Sequence, residues 1–151
     1  LMTLGPCATA AFSAKLPASL RVGFDLVQIS RIAGSIEQFG NRFTHRLFTQ
    51  GERDYAHSGE GLYAERLAAR FAAKEATIKA LRLSEAGIGW REIEVCKLQD
   101  GGCAVALHGR TAELAKGMGL DQIALSLSHD GDYAGAFVTA LYRSPDPTSL
   151  I

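Results

Sequence analysis

The chain has 151 residues, of which 47% are hydrophobic and 21% are charged. This size and composition fit one globular domain with a sizeable core, and they exclude a disordered or fibrous protein. Sixteen basic residues balance sixteen acidic ones, so the chain as a whole has no net field to hold nucleic acid or an anionic membrane. We therefore expect neither as a partner.

The three cysteines, Cys7, Cys96 and Cys103, are odd in number and show no C-x-x-C spacing. This argues against a disulfide framework and a structural zinc site, and it fits a reducing cytoplasm. Residues 1–20 lack a basic segment ahead of an unbroken apolar run, so we interpret them as an extension or early strand. We expect one domain over residues 21–143, followed by a proline-containing tail over 144–151.

The first expected element is a strand within residues 20–29, where β-branched and aromatic residues alternate loosely. We expect it to end near Asp25, which would place a carboxylate at the carboxyl end of a strand. Ser30 is the candidate cap of a helix over residues 31–40, and Gly40 is its expected stop.

Two further helices are expected before the middle of the chain, besides a helical turn or two over residues 42–48. Thr49 and Glu52 match the T-x-x-E capping box of a short helix. The run from Leu62 to about Leu83 contains no Gly or Pro and is rich in Ala, Leu, Glu, Lys and Arg. It predicts a long helix.

The second half of the chain predicts mostly hairpins. Residues 92–98 and 103–109 flank the turn sequence QDGG, and residues 123–129 and 133–142 flank DGD. A glycine-punctuated helix is expected between the two hairpins, over residues 110–119. The order of elements predicts an α+β fold in which a small antiparallel sheet packs against the long helix.

The long helix carries charged residues along the borders of its apolar stripe. At about 100° per residue, Glu75 and Lys79 lie along one flank, and Arg70 and Lys74 lie along the other. The stripe itself consists of Leu67, Phe71 and Ile78. An i,i+4 Glu–Lys pair is ordinarily a solvated stabiliser worth about 0.2–0.5 kcal/mol. Alternatively, Glu75 holds a divalent metal while the nearby cations bind phosphate oxygens.

Asp25 is the candidate second metal ligand. A carboxylate in an apolar strand costs free energy unless it is paired or coordinates a metal. The alternative is that Asp25 ends the strand and caps the next segment. Magnesium commonly takes one or two protein carboxylates together with waters and substrate phosphates, so Asp25 and Glu75 would be a sufficient set.

An apolar strand is expected to end in Ser126, Ser128 and His129. At the end of the strand, His129 could hydrogen-bond a phosphate or an amide of a pantetheine-like ligand. The alternative is that His129 is an ordinary turn residue whose hydrogen bonds are satisfied within the protein. No G-x-S-x-G pattern surrounds either serine, which argues against a Ser-His-Asp triad. The sequence also lacks the P-loop pattern and a G-x-G-x-x-G after a strand. Lys74 receives no specific role.

Three motifs in chain order carry a family resemblance. They are Gly23-x-Asp25, then Phe71-x-x-Lys74-Glu75-Ala76-x-x-Lys79-Ala80, then the serine-rich strand ending in Ser128-His129. Together with WREIEV between the second and third, they resemble the AcpS-type holo-acyl-carrier-protein synthases, a group of 4'-phosphopantetheinyl transferases. The resemblance extends from about Arg21 to Leu141.

This resemblance implies transfer of the phosphopantetheine arm of coenzyme A to a serine of an apo acyl carrier protein, with release of adenosine 3',5'-bisphosphate. The implied catalytic set is Asp25, Glu75 and Lys79. Asp25 and Glu75 match the family's Mg²⁺ ligands, and Lys79 matches its lysine near the reacting phosphate. Lys79 would either stabilise developing negative charge or take part in proton transfer.

The resemblance also implies the binding surfaces. Arg70, Ser128 and His129 fall at positions that would contact coenzyme A, and the loop with Gly87 and Gly89 falls near its nucleotide. A homotrimer with active sites between subunits is implied as well. The basic residues that would meet the acidic helix of the carrier protein are Arg31, Arg42 and Arg46, although each also fits a role as an ordinary solvated surface residue.

The chain departs from the family pattern at several places. Phe24 replaces an aliphatic residue, Gln28 stands where Glu is frequent, and Arg82-Leu83 stand where a glycine is common. The segment before Arg21 is longer than the minimal pattern.

Two rival functions remain: a magnesium-dependent hydrolase of the coenzyme A pyrophosphate, and a non-catalytic module that binds coenzyme A or a carrier protein. Which carrier protein is served is left open.

Overall fold

The structure is a computed structural model that describes residues 18–143. Within this range, three long strands form an antiparallel sheet in the order β1-β5-β4, and β2 and β3 form a separate hairpin. The strands are β1 (Ala18–Gln28), β2 (Ile93–Lys97), β3 (Cys103–Leu107), β4 (Leu120–Asp130) and β5 (Tyr133–Arg143). Both hairpins predicted from the sequence are confirmed. Residues 18–20 of the expected extension begin β1, while the rest of it and the tail over 144–151 lie outside the described residues.

The helices are α1 (Ile29–Phe39), α2 (Asn41–Leu47), α3 (Gln50–His57), α4 (Tyr63–Leu81) and α5 (Gly109–Gly117), with a 3-10 turn at Trp90–Glu92. The capping box at α3 is confirmed: the Thr49 hydroxyl accepts from the Glu52 amide, and the Glu52 carboxylate accepts from the Thr49 amide. Gly40 ends α1 with φ 54°, a conformation that suits glycine. None of the described helices is both long and apolar enough to cross a membrane.

Helix α4 packs across β1 and β5, which confirms the predicted α+β arrangement. Its sheet-facing side is mostly alanine, so helix and sheet approach closely. A Cβ placed on Gly23 would lie 1.9 Å from the carbonyl oxygen of Ala76, so only glycine fits at this point of β1. This close approach brings the residues that follow Gly23 against the last turns of α4.

Two predictions about the first strand and helix were wrong. Strand β1 does not end near Asp25, because Asp25 pairs with Ala136 and the ladder with β5 continues to Gln28. Ser30 does not cap α1, because the helix already begins at Ile29. Instead, Asp132 in the β4–β5 turn accepts hydrogen bonds from the Ser30 amide (2.9 Å) and the Ser30 hydroxyl (2.6 Å).

The predicted apolar stripe of α4 was wrong in part. Leu67 is fully buried, but Phe71 and Ile78 are only partly buried. Arg70 and Lys74, which were expected at the rim, are 2% and 0% exposed. A helical wheel fails here because alanines fill the flat contact with the sheet, while both cations have specific partners within the protein.

Candidate active site

Asp25 and Lys79 form the centre of the candidate site. The Lys79 ammonium lies 2.9 Å from the Asp25 carboxylate and also donates to the Phe24 carbonyl oxygen at 2.9 Å. Asp25 lies in the middle of β1, and Lys79 lies in the last turn of α4. The lysine side chain is half exposed, whereas that of Asp25 is 18% exposed. A ligand can therefore reach the lysine from solvent.

Glu75 lies one helical turn before Lys79 and is partly buried. Burial raises the pKa of the Glu75 carboxyl, the negative charge of Asp25 raises it further, and Lys79 acts in the opposite direction. The two carboxylates are thus near enough to repel each other. Such a pair favours a divalent cation, whose charge removes the repulsion.

The donor set suits Mg²⁺ better than a metal held by the protein alone. Across residues 18–143, no three His, Cys, Asp or Glu side chains come together in a way that could hold a metal. Two carboxylates leave the remaining coordination positions for waters and phosphate oxygens, which is the usual arrangement for Mg²⁺. Asp25 and Glu75 therefore fit the predicted metal.

The loop after α4 forms one wall of a groove beside Glu75. A cavity of about 280 Å³ is lined by Glu75, Gly87 and Trp90, among others. Gly87 has φ 62°, which favours glycine at this turn. Gly89 instead lines a neighbouring cavity with Arg46. The two predicted loop glycines thus belong to adjacent depressions and not to one.

Arg70 lies in a different and larger cavity, of about 470 Å³, which it shares with Ser128 and His129. Its guanidinium packs over the Tyr55 ring at 4.1 Å, and Nη1 donates to the Arg66 carbonyl oxygen at 3.4 Å. Burial lowers the pKa of Arg70. Within the described residues, its Nε and Nη2 have no hydrogen-bond partner. A buried cation with free donors is a strong candidate ligand for an anion.

The rim of this cavity carries several other charged groups. Arg66 and Lys97 line it, and the His129 ring lies 3.2 Å from the Glu65 carboxylate. The cavity around Arg70 is not lined by Asp25, Glu75 or Lys79. The structure thus groups the predicted site residues into two sets on one chain, the carboxylate–lysine set and the Arg70 set.

The three arginines predicted to meet a carrier protein are all exposed. Arg31 lies on α1, and Arg42 and Arg46 lie on α2. None of them forms an ion pair with another residue between positions 18 and 143. Their charges are therefore available to a partner.

Sequence reasoning missed two features near the site. The first is a buried ion pair between Lys74 and Glu52, 2.7 Å apart. The second is Tyr55, whose ring has Arg66 on it at 4.3 Å as well as Arg70. No local pattern marks Tyr55, but an unexplained lysine within an alanine-rich helix was a signal for the ion pair.

The sequence and the fold both match known proteins. The family model of the 4'-phosphopantetheinyl transferase superfamily matches residues 21–138. Among curated relatives, the holo-[acyl-carrier-protein] synthase of Gloeobacter violaceus is 42% identical over 121 residues, covering 80% of this chain and 92% of that protein. That of Desulforudis audaxviator is 44% identical over 122 residues, covering 81% and 92%.

A solved structure described as an ACPS–CoA complex from Chronobacterium ammoniagenes has the same fold. It superposes with a TM-score of 0.73 at 37% sequence identity, covering 83% of this chain and 99% of that one. The resemblance stated from the motifs is thereby confirmed over nearly all the described residues.

Proposed function

The chain belongs to the 4'-phosphopantetheinyl transferase superfamily, and on this premise we propose that it is a holo-acyl-carrier-protein synthase. It transfers the 4'-phosphopantetheine arm of coenzyme A to a serine hydroxyl of an apo acyl carrier protein. The serine oxygen forms a bond to the phosphorus that carries pantetheine, and adenosine 3',5'-bisphosphate leaves. The observation that carries this proposal is the meeting of Asp25 and Lys79, from distant parts of the chain, beside Glu75.

Asp25 and Glu75 would hold Mg²⁺ in this proposal. When bound, the ion supplies positive charge to the pyrophosphate of coenzyme A as the bond to the leaving group breaks. The raised pKa of Glu75 supports this role, because a carboxylate that is partly buried and also repelled by Asp25 is stabilised by a nearby cation.

Lys79 would act on the phosphate oxygens from the edge of the same site. Its ammonium already bonds two oxygens of β1, and half of its side chain is exposed. A cation so placed stabilises negative charge that develops during transfer. Its position also allows it to take part in moving the serine proton.

The cavity around Arg70 would hold the nucleotide end of coenzyme A. Two guanidinium nitrogens of Arg70 have no partner among residues 18–143 and fit a phosphate, and Ser128 and His129 add polar groups to the lining of the cavity. Because this cavity excludes Asp25 and Glu75, we propose that a complete site combines the Arg70 cavity of one subunit with the metal pair of a neighbouring subunit.

A homotrimer would bring these two halves together. Strand β1 presents an unusual apolar row on the sheet face opposite α4, and all four of its side chains are more than half exposed. They are Leu20, Val22, Phe24 and Leu26. Phe137 of the neighbouring β5 extends the same surface, which is hereafter the open sheet face. An exposed apolar face of this size is typical of an interface between subunits.

The acyl carrier protein would dock on the basic surface formed by Arg31, Arg42 and Arg46. The absence of internal ion pairs for these arginines in the described part of the chain supports this role. Attraction to an acidic helix would speed association and weaken as salt rises.

We also propose a cytoplasmic location, which the cysteine usage supports.

One experiment tests the proposed reaction. The protein is incubated with Mg²⁺, coenzyme A and an apo acyl carrier protein, and the carrier is weighed by intact mass spectrometry. A gain of one phosphopantetheine arm is expected. A carrier of unchanged mass would refute the transferase. Free phosphopantetheine formed without a carrier would instead indicate a hydrolase, and unchanged coenzyme A would indicate a binding module.

A further inference from the structure

Lys74 is fully buried, and its ammonium joins three separate parts of the fold. It lies 2.7 Å from the Glu52 carboxylate on α3 and donates to the Trp90 carbonyl oxygen at 3.0 Å and to that of Ile93. An ammonium has three protons to donate, so its hydrogen-bonding capacity is used completely. The acceptors from Trp90 and Ile93 belong to the segment that leaves the loop after α4 and enters β2.

Glu52 is equally well held. Besides Lys74, its carboxylate accepts from the Val95 amide at 3.0 Å and the Thr49 amide at 2.9 Å. The pair therefore links α4, the start of α3 and the start of β2. A buried pair with this many partners has one geometry, since any shift leaves a buried polar group unsatisfied.

Such a pair contributes little net stability by itself. Removing two charges from water costs about as much free energy as their attraction supplies, and replacing a whole buried pair by apolar residues often leaves stability unchanged. Lys74 on α4 and Glu52 on α3 are both almost fully buried, so apolar residues could have filled both positions. The pair is better explained by the position that it imposes on the groups it touches.

One of those groups, Trp90, lines the groove beside Glu75. The Trp90 ring stacks on Phe71 of α4, with centroids 5.3 Å apart, and lines the same cavity as Glu75 and Gly87. Lys74 directly precedes Glu75 in the helix. In this turn of α4, Lys74 thus holds the main chain of the loop, while the next residue, Glu75, is the candidate metal ligand and lines the groove.

We propose that Lys74, paired with Glu52, is a positioning residue. It holds the loop after α4, together with the 3-10 turn at its end (residues 84–92), at a fixed distance from Glu75 and so sets productive binding of coenzyme A. The inference rests on the proposed function, in which Glu75 lines this groove and holds the ion that acts on the pyrophosphate of coenzyme A. It makes Lys74 neither a ligand of the metal nor a contact of the reacting atoms.

The test uses the neutral double variant Lys74→Met/Glu52→Gln, which removes both buried charges together. The Glu52→Gln change keeps one side-chain oxygen for the buried amides. We expect a folded protein whose KM for coenzyme A rises about tenfold or more. The reason is that a loop displaced by about 1 Å would no longer fit the substrate. The KM for the carrier protein should stay within about twofold, and kcat should change less than the KM for coenzyme A.

Trp90 supplies a readout that does not need activity. It is the only tryptophan of the chain, so intrinsic fluorescence reports on the loop directly. Release of the loop should shift the Trp90 emission to longer wavelength in the double variant. The matched control is Thr77→Val, which removes another fully buried polar group of α4 that bonds only the Ala73 carbonyl oxygen. It should keep both the parental emission and the parental KM for coenzyme A.

A folded double variant with parental emission and parental KM would overturn the proposal. Should that variant not fold, hydrogen exchange on the parent decides. The Gly89 and Glu92 amides, which bond within the loop, should exchange slowly without coenzyme A if the loop is held in advance, and fast exchange would overturn the proposal. Failure of the proposed function would differ, because the parent itself would then transfer nothing.

Discussion

The Lys79 ammonium lies 2.9 Å from the Asp25 carboxylate, and this ion pair joins the last turn of α4 to the middle of β1. It forms because Gly23 lets the helix approach the strand within van der Waals contact. Exposed ion pairs contribute little to stability. The position of this one, beside a second carboxylate at Glu75, points to chemistry instead.

We expect Lys79→Met to lower kcat by about 100- to 1000-fold, the usual cost of removing one donor that stabilises transition-state charge. The KM for coenzyme A should change much less. Steady-state kinetics with apo carrier protein measures both. The control is Lys116→Met, which removes an exposed lysine of α5 and should leave kcat unchanged. A Lys79→Met enzyme with near-parental kcat would remove Lys79 from the catalytic set.

Asp25→Asn and Glu75→Gln should each reduce turnover by more than about 100-fold, since even the groups that merely orient metal ligands cost 10- to 100-fold. Both substitutions keep the side-chain shape, so circular dichroism should match the parent. The carrier mass assay measures the loss, with Glu113→Gln on the exposed face of α5 as control. Activity near that of the control in either variant would exclude the residue as a metal ligand.

The raised pKa of Glu75 predicts a dependence of stability on pH. A carboxyl whose pKa is higher in the folded than in the unfolded state costs stability above the folded pKa and costs nothing below its ordinary pKa. Without Mg²⁺ at pH 7, Glu75→Gln should therefore melt at a higher temperature than the parent. The difference should vanish as pH falls below the ordinary range for Glu.

Added Mg²⁺ gives the matching control for Glu75. The ion should raise the melting temperature of the parent, because it binds only the folded state, and should do so much less for Glu75→Gln. Scanning calorimetry over a series of pH values gives both results. A parent that melts above Glu75→Gln at pH 7 without Mg²⁺ would contradict the raised pKa of Glu75, which burial and then the charge of Asp25 cause.

Arg70→Gln should raise the KM for coenzyme A by about 10- to 100-fold, as expected for hydrogen bonds between a buried cation and an anion. Arg70→Lys should restore little of this, because lysine cannot reproduce the planar donors over Tyr55. Calorimetric titration with coenzyme A checks the effect without turnover. Arg110→Gln, at an exposed arginine, is the control. Parental affinity in Arg70→Gln would show that the cavity binds something else.

Local signals allowed much of the fold to be predicted. The Thr49–Glu52 cap, Gly40 and both hairpin turns depend on residues close in sequence, and the structure has all of them. The end of β1 could not be read in this way. Asp disfavours strands, but pairing with β5, which comes late in the chain, extends β1 through Asp25 to Gln28.

The site was predictable to the extent that it rests on motifs. The motifs pointed to Asp25, Glu75 and Lys79, and the structure places these three side chains near one another, because β1 and α4 are in close contact. The burial of Arg70 and Lys74 could not be read from a helical wheel, which treats charged residues as solvent-facing. Their partners, Tyr55 and Glu52, lie on α3, and only tertiary packing reveals them.

The open sheet face predicts the assembly. We expect the parent to have three times the 16.1 kDa mass of one chain by light scattering, and Val22→Arg to be smaller, since a buried unpaired charge disrupts an interface. Leu98→Arg, at an exposed apolar residue outside this face, should remain assembled. A parent that is monomeric and fully active would refute the shared site.

Mixed assemblies test whether subunits share each site. An Asp25→Asn chain lacks the metal half but keeps an intact Arg70 cavity, and an Arg70→Gln chain has the reverse defect. If each site takes one half from each of two neighbours, coexpression should create some interfaces at which both halves are intact. Activity should then exceed the sum of the separately purified variants. If all groups of a site come from one chain, every site keeps one defect and coexpression gains nothing.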